Sequence, residues 1–108
     1  PTPTKAVENP KVKIISPAVG TMIDAGDSIT VIADLTHSQD LHEYGVRLST
    51  GSTIYMERTF HSHTDSTRLI MGWRAPSTLH HVDVKIEVEA TDHENRKGSA
   101  AVSLHVHG

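Results

Sequence analysis

Two short spacings carry the chemistry that this sequence offers. His61-Ser-His63 and His105-Val-His107 are i, i+2 pairs, and on an extended strand such residues point to one face. Two imidazoles so placed can share a metal ion, and a ligand from a neighbouring loop would complete the site. Nine histidines stand among 108 residues. Imidazole with carboxylate suits tetrahedral zinc or tetragonal copper(II), and nickel tolerates the same set. Cysteine is absent, which excludes thiolate sites, disulfides and cysteine nucleophiles. Met22, Met56 and Met71 are expected away from the histidines or inside the core, so soft copper(I) chemistry is disfavoured.

The elements that must position these rings are strands. Apolar residues alternate with period two in short runs, and Gly, Pro, Asp and Ser clusters interrupt them roughly every ten residues. The pattern predicts strands over Lys11–Ser16, Ser28–Leu35, His42–Ser49, Thr53–His61, Thr67–Arg74, Val82–Ala90 and Ala100–His107. Thr50-Gly51-Ser52 reads as a tight hairpin turn with glycine at positive φ, and Thr91–Gly98 as a polar hairpin loop. About seven such strands in one chain predict an all-β fold, a two-sheet antiparallel immunoglobulin-like sandwich. Its expected core is Val12, Ile14, Ile29, Val31, Val46, Leu48, Met71, Trp73, Val84, Ile86, Val88, Val102 and Leu104.

Alternating strand directions then sort the histidines to two ends. His37, His42, His61, His63 and His93, with Asp40, Asp65 and Asp92, are expected at one end. His80, His81, His105 and His107, near Asp24 and Asp27, are expected at the other. The first-choice metal site is His42, His61, His63 and His93, because its ligands come from several loops. The second choice is His80, His81, His105 and His107. Histidine also suits solvated loops, and its charge changes near pH ~6.5, so unrelated surface positions and pH sensing are the competing readings.

Composition narrows the remaining classes. The length is that of one domain, commonly about 100–150 residues: 1–9 reads as a polar, Pro-rich linker and 10–108 as the sandwich. Ten Lys and Arg against thirteen Asp and Glu, net charge −3, leave no basic stripe for nucleic acid. No apolar run approaches the roughly 20 residues of a transmembrane segment. No nucleophile elbow is present, and Glu87 and Glu89 read as solvated outward charges, so the chain is expected not to be an enzyme. Turn formation accounts for Asp24, Asp27, Asp92 and Asn95, which calcium would otherwise use. Tyr44, Tyr55, Phe60 and Trp73 are largely claimed by the core, which weakens a carbohydrate platform.

The stretches Pro10–Pro17, Gly26–Val31 and Ile86–Asp92, with Gly20 and Asn95, resemble exported bacterial immunoglobulin-like domains, in the broad group with PKD-like and fibronectin type III-like modules. Phe60-His-Ser-His-Thr-Asp65 is similar to a segment of His-rich, lipoprotein-tethered domains of Bacteroidetes. In the immunoglobulin-like, PKD-like and fibronectin type III-like families the turn before the last strand has glycine where Glu94 stands here. The resemblance implies an extracytoplasmic module, periplasmic or at the cell surface, lipid-anchored through a preceding segment. Metal binding by loop histidines is the function expected of it, and a passive spacer or adhesion domain with a protein partner is the alternative.

Overall fold

A computed structural model describes residues 9–79 and 81–108. The expected linker 1–9 falls almost wholly outside them, as does His80. Eight strands form: β1 Lys11–Ser16, β2 Met22–Asp24, β3 Ser28–Thr36, β4 Leu41–Thr50, β5 Thr53–His61, β6 Ser66–Arg74, β7 Val82–Asp92 and β8 Lys97–His107. They make a three-stranded sheet, β1-β3-β6, packed on a five-stranded sheet, β2-β8-β7-β4-β5. This is the immunoglobulin-like sandwich that the alternation predicts.

The strand missed by periodicity is β2. It has three residues, too few to show an alternation, and it pairs parallel with β8, Met22 opposite His105 and Asp24 opposite His107. The sheets are therefore antiparallel except at this one ladder. The chain leaves the first sheet after β1 through Pro17–Gly20, where Gly20 has φ 83°, and enters the edge of the second. Backbone bonds from His105 N to Thr21 O (3.1 Å) and from Ala25 N to His107 O (2.8 Å) fasten that edge.

The inward faces are those of the period-two runs. Val31, Ala33, Leu35, Leu41, Val46, Leu48, Leu69, Val84, Ile86, Val88, Ala90, Leu104 and Val106 are buried, and Trp73 with them. Burying side chains of this kind contributes roughly 1.5–3 kcal/mol each before chain entropy is subtracted. Four expected core residues are only partly buried: Val12 and Ile14 on β1 and Met71 on β6, the edges of the smaller sheet, and Ile29 near the start of its central strand β3. Tyr55 meets the Trp73 ring at 5.8 Å and Tyr44 stacks on Phe60 at 5.2 Å, which leaves these aromatics to packing.

Two hairpin turns of the larger sheet are tight. Gly51 adopts φ 51° at the β4–β5 turn, as its position requires. The β7–β8 connection shrinks from the expected Thr91–Gly98 loop to 93–96, because pairing continues to Thr91 opposite Lys97. Asn95 takes the left-handed position at φ 63°. Asparagine tolerates that region better than most residues, which explains how Glu94 can stand in a turn of this type without glycine.

Candidate metal centre

Antiparallel register puts His61 on the outer face of the five-stranded sheet. Lys97, Thr91, Glu43 and His61 form one row across β8, β7, β4 and β5. The neighbouring residues Tyr44, Ala90 and Phe60 lie on the opposite, inward side, with Ala90 fully buried. His42 is an extra residue in this register. Leu41 pairs with Asp92 and Glu43 with Thr91, so two steps along β4 match one along β7. Such a β-bulge breaks the alternation and re-aims a side chain.

The outcome is a chain of rings. The centroid of His42 lies 5.9 Å from that of His61 and 4.6 Å from that of His93, and His63 stacks on His93 at 5.8 Å. One ligand atom each from His42, Glu43 and His61 lie within 4.8 Å of one another. Among the described residues, the buried Nδ1 atoms of His42 and of His37 have no hydrogen-bond partner. The first-choice residues are thus gathered, although not as the His-X-His argument expects. β5 ends at His61, so His63 lies beyond the strand and reaches the group through His93 instead. Glu43 was not foreseen as a ligand, because its membership depends on the bulge beside it.

Beneath these rings sits a buried ionic hub. Asp92 Oδ1 accepts from the backbone N–H of Glu94 (2.8 Å) and of Arg96 (2.9 Å). Its Oδ2 accepts from Arg96 Nε (2.8 Å) and lies 2.9 Å from His37 Nε2. Burial alone would push the Asp92 carboxyl up. The backbone donors of Arg96 and Glu94, then His37 and the Arg96 guanidinium, outweigh it and hold the carboxyl down at about 2. Asp92 and His37 therefore hold the turn that carries His93. Their roles were hidden in a sequence where Asp92 reads as an ordinary turn residue. Asp40 is exposed, and Asp65 contributes its backbone carbonyl to His37 N at 2.8 Å.

At the opposite end His81, His105 and His107 converge: the His81 ring is 4.6 Å from His107 and 6.2 Å from His105. His105 and His107 are both strand residues of β8, and their shared face follows from the spacing. Asp83 Oδ1 lies 2.8 Å from His105 Nδ1, and Asp24 Oδ1 3.7 Å from His107 Nδ1. Asp27 accepts from Asp24 N at 3.1 Å in the turn between β2 and β3. Met22, expected away from the histidines, stands directly beside His105 in the β2–β8 ladder. That correction follows from the edge strand the periodicity could not show.

The same sandwich occurs in known structures. Over 94% of its length the chain superposes on Spo0M, a sporulation control protein from Bacillus subtilis, with TM-score 0.64 and 11% identity. It covers only 50% of that protein, so the chain spans about half of it. A Niemann-Pick type C2 protein from the Japanese carpenter ant matches over 94% of this chain and 95% of its own, with TM-score 0.57 and 12% identity. No family model matches the chain, and no curated protein matches it in sequence. Likenesses at this identity show an immunoglobulin-like sandwich in the general sense. They do not extend to the PKD-like, fibronectin type III-like or lipoprotein-tethered kinds.

Proposed function

We propose that this domain is a non-enzymatic module that holds one zinc or copper(II) ion at His42, Glu43 and His61, with His93 beside them and His63 outside. The buried, unpartnered Nδ1 of His42 carries the reading. A buried polar atom normally has a partner, and this ring stands beside a second imidazole and a carboxylate. Zinc takes nitrogen at about 2.0–2.1 Å and carboxylate oxygen at about 2.0–2.2 Å. Ligand atoms already within 4.8 Å need only side-chain adjustment to reach such a shell. The Asp92 hub supports the same end by fixing the turn before the ion arrives, which lowers the ordering cost of binding.

The group lies at the rim of an open sheet face, which favours holding an ion over hydrolysis at a water-excluding cleft. The reading includes an extracytoplasmic address, periplasmic or cell-surface, which rests on the sequence resemblance. Zinc titrated into chelator-stripped protein should raise the melting temperature. With micromolar affinity, millimolar zinc stabilises the native state by about 4 kcal/mol. Replacing His42 and His61 together by Ala should remove the part of the shift owed to this site. A shift identical in the variant overturns the assignment. No shift in the unmodified protein favours the spacer or protein-interaction alternative.

A further inference from the structure

Three isoleucines meet on the open side of the smaller sheet. Register sets Ile32 of β3 level with Ile70 of β6. On β1 the bulge after Ile14 leaves Ile15 and Ser16 together opposite Ile32. Ile15 is 43% and Ile70 67% exposed, and Ile32 on the central strand is half-buried. Strands lie about 4.8 Å apart, so the row spans roughly 10 Å across the sheet. Contiguous apolar surface left in the open marks a place of contact.

Cations surround this row. Lys13, Asp34 and Arg68 form the next level toward one end, with Lys11 beyond them, and Arg74 closes the other end. Asp34 is engaged by Arg68 through two bonds, at 2.6 and 3.0 Å. Four cations against one carboxylate give the strand residues of this face net +3, on a chain of net −3.

We infer that this face docks flat on a membrane surface rich in anionic lipid. Headgroup phosphates meet the cations, and the isoleucines enter the boundary between headgroups and acyl chains. Lysines on an edge strand also deter pairing with other strands. That accounts for Lys11 and Lys13, but not for isoleucines on the open face. A second copy matches poorly. Its own copy of this face would set like charge against like. On the outer face of its larger sheet, Glu57, Glu87 and Glu89 are already engaged by Arg47, Lys85 and Lys97. Among the described residues that face carries no apolar row to cover the isoleucines. The inference goes beyond the metal reading and is independent of it, since His61 lies on the opposite sheet and stays turned to solvent when the smaller sheet is docked.

The test is co-sedimentation of the chelator-stripped chain, in low salt and with chelator present, with vesicles. One set holds phosphatidylglycerol and phosphatidylcholine in equal parts, the other phosphatidylcholine alone. Binding should be confined to the mixed vesicles and should weaken as salt is raised. Lys13→Gln and Arg74→Gln should each weaken it about fivefold, the share of one cation near an anionic surface. Ile70→Ala should weaken it at least about fivefold and leave the melting temperature nearly unchanged. Lys85→Gln, on the opposite sheet, should leave binding intact. Binding to neither vesicle overturns the proposal and leaves an acidic protein surface as the match for this face. Equal binding to both, or binding indifferent to Lys13→Gln and Ile70→Ala, overturns it as well. Chelator is present throughout, so failure of the metal reading remains distinguishable.

Discussion

His37 Nε2 lies 2.9 Å from Asp92 Oδ2, with the two side chains 0% and 2% exposed, respectively. Residues 55 apart in sequence thereby join the β3–β4 connection to the end of β7. The pair also receives Arg96, so an otherwise uncompensated buried carboxylate meets both a guanidinium and an imidazole. Removing one member of such a group leaves the others buried without partners, which costs more than the pair itself contributes.

Asp92 makes stability depend on acidity in a defined direction. Its carboxyl is held at about 2, below the roughly 3.9 of an unfolded aspartate. The carboxylate's contribution is therefore complete above about pH 5 and is lost as pH falls toward 2. The expected size is on the order of 1–2 kcal/mol, allowing for nearby solvent. Urea unfolding between pH 2 and 5 should show the loss, and Asp92→Asn should flatten it.

Glu43→Gln keeps the shape of the side chain and removes its charge. Zinc affinity should fall at least about tenfold, since even orienting partners of ligands contribute 10–100-fold. Calorimetric titration with zinc checks this. An unchanged affinity would show that the carboxylate is not a ligand.

A methyl group at position 98 has nowhere to go. A Cβ built on Gly98 overlaps the Pro10 carbonyl, where the chain enters β1. Gly98→Ala should therefore destabilise by about 1–3 kcal/mol, the usual range for overpacking. Equilibrium unfolding of the variant measures it.

Leu35 is fully buried and Ile70 is 67% exposed. Leu35→Ala should cost about 2–5 kcal/mol through the lost contacts and the cavity left behind. Ile70→Ala should change stability by about 0.5 kcal/mol or less. Thermal melts of the two variants would expose any error in the assignment of inner and outer faces.

Period-two alternation was sufficient to read the sandwich, most strand boundaries and the faces of β7 and β8, because burial of one face is a local property of the chain. His105-Val-His107 was legible for the same reason. The shared face expected of His61 and His63 did not follow, because the strand stops at His61, as its predicted bounds already had it, and His63 lies beyond the alternation. The bulge at His42 arises only when β4 must match β7. The short β2 forms only because β8 offers it a parallel edge.

What the sequence by itself determined is thus the fold class and the division of the histidines between two ends. Tertiary structure alone decided which rings touch, that Glu43 joins them, that Asp92 is a buried hub, and that Met22 flanks His105. The physical reason is that a strand's inner face depends on its own residues. A ligand set depends on the register between strands distant in sequence, and one residue of slip moves every side chain to the other face.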